Sequence, residues 1–236
     1  MLSPANVALL VVLGLLPSLV WLFYYLKHDM HPEPKSLLAK TFIMGILFAP
    51  VVALLQWLFV ELVSDLYIGY KPDASFFLWA AAVEEVVKLM VVRVVVLKHA
   101  EFDEPTDAMI YMVTAALGFA AIENVLVLFN VIPNGHSYAI GVLALRFIGA
   151  TFLHALAAAI TGYFLAISWF FKKHAFKLIL VGLSLATAVH FLFNMLLQIF
   201  QDNLTALIYS VALLLSVAYI VARLFSKTRA RDREFM

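Results

Sequence analysis

Apolar runs of about 20 residues follow one another along this chain, the length that carries an α-helix across the hydrocarbon core of a bilayer. "ANVALLVVLGLLPSLVWLFYYL", at 5–26, is one of them. In lipid the backbone must satisfy its own polar groups, so a chain built from such runs folds as a helical bundle. With 65% hydrophobic and 13% charged residues among 236, no stretch is left over for a soluble domain. The fold expected is an all-α polytopic membrane protein in one integral domain, 1–236, with multi-pass residence in the cell membrane.

The hydropathy pattern predicts about seven helices, near 6–26, 38–63, 76–97, 107–130, 139–171, 176–200 and 204–225. The fifth exceeds what a bilayer needs, which implies tilt or projection. Pro34 and Pro105 are read as helix-entry residues. Lys27, Lys35, Lys40, Lys98, "KKHAFK" and Arg223, Lys227, Arg229, Arg231 and Arg233 all fall in alternate loops and after the last helix. The opposite loops hold only Lys71, "IPNGHS" and "QDN". The positive-inside rule then puts the N-terminus outside and the C-terminus in the cytoplasm. A net charge of +1 gives no field that would attract nucleic acid, and the absence of cysteine excludes disulfides and thiolate chemistry.

A charged residue at mid-helix costs about 2.5–3.5 kcal/mol to insert, so ionisable groups at membrane depth are functional candidates. They are Glu84, Glu85 and Lys88 on the third helix, Glu123 with Asn124 on the fourth, Arg146 and His154 on the fifth, and His190 with Asn194 on the sixth. At about 1.5 Å per residue, Glu84, Glu123, His190 and Asn194 lie roughly 9–15 Å below the outer helix ends. His154 lies deeper along its long helix and needs tilt or late membrane entry to join them. Four helices thus offer polar groups in one layer on the outer side. Glu84 and Lys88, four residues apart, share a face and can pair, as can His190 and Asn194. Arg146 reads as structural, pairing with a carboxylate or reaching the surface. Small residues in "GFAAIEN" and "FLHALAAAITG" permit close helix approach.

A carboxylate kept from water is a competent general base, and imidazole and amide groups beside it can orient a water and donate to an oxyanion. The set reads as amide hydrolysis by activated water. No Ser shares the layer with a His, which argues against a serine nucleophile.

"EEVVK", "GFAAIEN", "HALAAAITGYF" and "HFLFN", with the lead-ins "HDMHPEPKSLLAK" and "FDEPTDAMIYMVTAALGFAAIEN", resemble the successive motifs of the PrsW family of intramembrane proteases. That family resembles in turn the CAAX-protease and bacteriocin-processing superfamily. The resemblance implies an endopeptidase, with its catalytic core at about 76–200, that cleaves single-span membrane proteins; for the family's namesake the substrate is an anti-sigma factor. It implies Glu84 as the base, His190 and Asn194 on the oxyanion side, and Glu85 with Lys88 as a supporting pair. The superfamily's Phe-x-x-x-His motif reads Phe119-x-x-x-Glu123 here, which leaves His154 to hold the water.

Two alternatives accompany this reading. Glu84, His154 and His190 form the His₂Glu set that catalytic zinc uses. Without an HExxH spacing, and with Lys88 alongside, a metal-independent glutamic peptidase is the preferred expectation. A proton-coupled transporter is the non-enzymatic alternative, and it predicts helices broken by Gly or Pro at the site.

Overall fold

The computed structural model describes residues 3–66, 72–200 and 203–232. Lys71, Gln201, Asp202 and Arg233, which entered the charge pattern above, lie outside the described residues. Among the described residues eight α-helices follow in order: α1 (Pro4–Leu26), α2 (Lys35–Leu66), α3 (Ala74–Val95), α4 (Pro105–Val131), α5 (His136–Ile148), α6 (Ala150–Phe170), α7 (Ala175–Ile199) and α8 (Asn203–Asp232). Six stretches among the described residues are long and apolar enough to cross a membrane, α5 and α6 counting as one. The remaining long helix, α3, has the length, but Glu84, Glu85, Lys88 and Arg93 make it too charged to qualify by composition. The chain is a multi-pass integral membrane protein.

Local chemistry sets the helix starts. Pro4 and Pro105 occupy first-turn positions, where a missing N–H costs nothing. Ser3 accepts from Asn6 N–H at 3.3 Å, and Asp73 accepts from Ser75 and Phe76. Asp107 reaches back to the N–H groups of Asp103 and Glu104. Pro34 directly precedes α2, and its carbonyl accepts from Leu37 and Leu38.

The bundle is organised around α4, which is buried from Pro105 to Ala121 and packs against α1, α2, α3, α5, α6 and α8. Lipid tails are as apolar as leucine, so association rests on close contact between small residues. Ala115, Ala116, Ala120 and Ala121 on α4 and Ala155 and Ala157–Ala159 on α6 are all fully buried, and the two helices pack against each other. Gly45 of α2 and Gly118 of α4 bring two backbones together; a Cβ on Gly118 would collide with the Phe42 carbonyl, and one on Gly45 with that of Ala115.

The expected fifth helix is two helices. Gly149 adopts φ −104° and ψ −98°, outside the helical range, and separates α5 from α6. A helix broken at glycine is the feature that the transporter alternative predicts, and Gly149 places one at the start of the helix that carries His154. The break also replaces the tilt invoked for His154, which sits little more than one turn from the start of α6.

One end of the bundle gathers the loops rich in lysine and arginine. Tyr111 donates its hydroxyl to Glu33, and Thr106 donates to Asp232. His31 pairs with Glu104 at 2.5 Å, and the Arg231 guanidinium lies 4.6 Å from the Phe170 ring centre. These contacts tie the α1–α2 and α3–α4 loops and the ends of α6 and α8 into one polar cap.

Candidate active site

Helix α3 delivers Glu84, Glu85 and Lys88, all buried, into the space between α4, α6 and α7. Lys88 Nζ donates to Glu85 Oε1 at 2.6 Å and to His154 Nδ1 at 2.7 Å. Its distance to Glu84 Oε2 is 3.9 Å. The close partner of Lys88 is therefore Glu85, three residues away, although the four-residue spacing also allowed Glu84. Helix geometry accommodates both spacings, and His154 draws the ammonium to one side.

An ammonium only donates, so His154 Nδ1 accepts and the ring proton sits on Nε2. That Nε2–H donates to Glu123 Oε2 at 3.0 Å. On α7, His190 Nδ1–H donates to Glu85 Oε1 at 2.9 Å, leaving Nε2 bare, 3.6 Å from Glu84 Oε2. The two imidazoles lie edge to face, 5.1 Å apart. Each is gripped by a carboxylate on one nitrogen and turns the other toward Glu84. Oε1 of Glu84 accepts from Gln56 Nε2 of α2 at 3.0 Å, while Oε2 is buried without a hydrogen-bond partner among the described residues.

A second group extends from this core. Arg146 of α5 donates from Nε to Asn124 Oδ1 at 2.6 Å and from Nη2 to Glu123 Oε2 at 3.1 Å. Asn124 Nδ2 donates in turn to Thr151 Oγ1 at 3.0 Å. Arg146 thus pairs with a carboxylate, as expected of it, but through the same oxygen that receives His154. Phe119 packs beside His154, with ring centres 5.8 Å apart, and its face meets Lys88.

Eight of the nine residues singled out in the sequence come together in one network. Asn194, one turn beyond His190, is half-buried and makes no side-chain hydrogen bond among the described residues. Gln56 and Thr151 were missed. Gln56 is a lone amide inside an apolar run, a signal of the kind that picked out Asn124 and Asn194, and it lies outside the expected 76–200 core.

A family model described as "PrsW family intramembrane metalloprotease" matches residues 33–222, a stretch that contains every residue of this network. The chain belongs to the PrsW family. Three relatives, each named Protease PrsW, illustrate the range. The one from Oceanobacillus iheyensis is 31% identical over 80% of this chain and 83% of its own length. The one from Halalkalibacterium halodurans is 28% identical over 82% and 86%. The one from Geobacillus kaustophilus is 35% identical over 66% of this chain, and the match spans 64% of that relative. No solved structure matches. Membership places the chain among peptidases.

The PrsW description names a metal, and the donor set bears on whether one fits. Glu84, His154 and His190 each offer a ligand atom within 4.8 Å of the others. Glu84 Oε2, without a hydrogen-bond partner among the described residues, faces His190 Nε2 at 3.6 Å. Carboxylates on the outer nitrogens of both rings are the usual supports of metal-binding histidines. The set fits a divalent ion once Lys88 releases His154 Nδ1.

Proposed function

We propose that the chain is an intramembrane endopeptidase that hydrolyses single-span membrane proteins with a water activated at Glu84. The observation that carries this is the opposition of Glu84 Oε2, buried and without a hydrogen-bond partner among the described residues, and His190 Nε2 at 3.6 Å, two acceptors that the two hydrogens of one water would satisfy. Glu84 takes a proton as the water oxygen bonds to the scissile carbonyl carbon. The carbonyl oxygen gains negative charge close to the Lys88 ammonium, the positive group held among Glu85, His154 and Glu84. The C–N bond then breaks, and the proton held by Glu84 passes to the leaving amine. Gln56 fixes the other carboxylate oxygen throughout.

The fit of Glu84, His154 and His190 to a divalent ion supports a second reading, in which zinc supplies Lewis-acid polarisation and an acidified water. Those three residues would hold it, with Glu85 and Glu123 as supports. The basic end of the bundle is assigned to the cytoplasm, with the N-terminus outside, and the active layer then faces the outer leaflet. An anti-sigma-factor-like protein, cut from that side, is the substrate class.

The test uses purified protein in liposomes and a panel of single-span substrates. Wild type, Glu84→Gln and His190→Ala are compared with and without 1,10-phenanthroline. Cleavage lost in both variants but indifferent to chelator supports the glutamic mechanism. Cleavage lost with chelator and restored by zinc supports the metal. Wild-type cleavage by Glu84→Gln sinks the assignment of Glu84.

A further inference from the structure

We infer that the groove between α1 and α2 is a binding site for an anionic phospholipid, with one acyl chain between the helices and the phosphate on Lys35. The inference stands apart from the active layer and does not depend on the peptidase reading. α1 and α2 follow one another in the chain, yet no Cα atom of one comes within 8 Å of a Cα atom of the other. Each packs on α4 instead. The connection between them explains the gap. Asp29 accepts from the His31 and Glu33 N–H groups, Glu33 accepts from Tyr111 of α4, and His31 pairs with Glu104. The connection is thus drawn onto the polar cap and does not pull the two helices together.

The two sides of the gap are apolar stripes at helical spacing. Leu38, Ala39 and Phe42 of α2 and Leu19, Leu22 and Leu26 of α1 line a cavity of about 340 Å³. Lys35 lines it too, one turn before Leu38, at the end of the bundle that gathers the basic loops. From Lys35 to Phe42 the groove runs roughly 11 Å, about a third of the hydrocarbon core. A helix about 10 Å across would occupy roughly 800 Å³ over that length, so a membrane-spanning segment can lie against the groove but cannot enter it. An extended hydrocarbon chain can.

Charge says which headgroup goes with that chain. Lys35 is exposed and makes no ion pair or side-chain hydrogen bond among the described residues, and the same holds for Lys27 and Lys40. The carboxylates nearest in sequence are engaged elsewhere, Glu33 by Tyr111 and Asp29 by N–H groups of its own loop. The N–H groups of Lys35 and Ser36, at the start of α2, find no acceptor among the described residues, and such N–H groups attract anions. An ammonium and a helix start above an apolar slot complement a phosphodiester joined to an acyl chain. Basic pockets between membrane helices select anionic headgroups in this way. A zwitterionic lipid brings its own ammonium to the phosphate and gains less.

The experiment uses the full chain purified in dodecylmaltoside. Phosphatidylglycerol or phosphatidylcholine is titrated in, and bound lipid is counted by native mass spectrometry. Wild type is expected to hold one phosphatidylglycerol roughly tenfold more tightly than phosphatidylcholine. Lys35→Gln should weaken that binding about fivefold, the share of one basic residue at a membrane surface. Ala39→Trp, which fills the slot, should abolish it. Lys177→Gln, at the same basic end but outside the groove, should leave it unchanged. If Ala39→Trp does not fold, the two lysine variants carry the test. Equal losses in Lys35→Gln and Lys177→Gln would mean diffuse attraction and overturn the site, as would equal retention of the two lipids. Unchanged lipid binding in a folded Ala39→Trp overturns it as well, and a dimer seen only in wild type would then give the groove to a second copy of the chain.

Discussion

Glu84 Oε2 and His190 Nε2 face each other at 3.6 Å, and Glu85 grips the far nitrogen of the same ring at 2.9 Å. Two adjacent glutamates on one helix are therefore placed differently, one facing His190 Nε2 and the other holding the ring and the lysine. Glu84→Gln is expected to lower kcat on the order of 10²- to 10⁴-fold, the range for loss of a general base. Glu85→Gln should cost less, about 10- to 100-fold. Initial rates in liposomes at saturating substrate decide it, and equal losses would mean that the division of roles is wrong.

Lys88 is fully buried between Glu85 and His154. Removing one partner of a buried ion pair typically costs about 3–5 kcal/mol, because the other charge is left without compensation. Lys88→Met should destabilise the bundle by that amount, and the double variant Glu85→Gln/Lys88→Met should recover much of it. Unfolding in mixed micelles by added SDS measures both; a double variant worse than the single would contradict the pairing.

At the α2–α4 crossing, Gly45 and Gly118 each face a carbonyl of the other helix. Even one added methyl must push the backbones apart. Gly118→Ala is expected to cost about 1–3 kcal/mol, the usual range for overpacking. Gly141, with nothing near its Cβ position, is the control and should accept alanine with little change in thermal stability.

Outside the membrane, burial lifts the Glu33 carboxyl above its ordinary value of 4.5, and the Tyr111 hydroxyl offsets part of that rise. A raised carboxyl binds its proton more readily in the folded state than in the unfolded one. Folding is then favoured as pH falls through this range, and stability declines as pH rises from 4.5 through the raised value. Burial also raises Asp29 and Glu104 in the same cap, with the same sign. Glu33→Gln should flatten the decline in melting temperature; an unchanged slope would assign the dependence to the other two.

The span pattern, the polar layer and the grouping of the basic loops at one end were legible because hydropathy and charge are properties of sequence position alone. Spacing also brought out Glu84, Glu85 and His190 as neighbours in depth. What spacing cannot express is direction around the helix axis relative to other helices. Lys88 had two glutamates within reach on its own helix, and only the arrival of His154 from α6 favours Glu85. The break at Gly149 left no mark in hydropathy, since α5 and α6 are both apolar. Gln56 was visible as a polar residue, but its contact with Glu84 spans 28 positions and depends on how α2 lies on α3.

A helix that stops inside a bilayer leaves amide and carbonyl groups that lipid cannot solvate. At Gly149 two helix ends meet beside Thr151 and Asn124, within reach of the exposed edge of Glu123. Gly149 itself keeps both its backbone bonds, to Leu145 and from Leu153, but any group left unpaired beside it would favour hydration where an uninterrupted helix presents only hydrocarbon. Peptide hydrolysis consumes a molecule that the membrane interior excludes. The break between α5 and α6 thus bears on the supply of the second reactant as well as on the placement of His154.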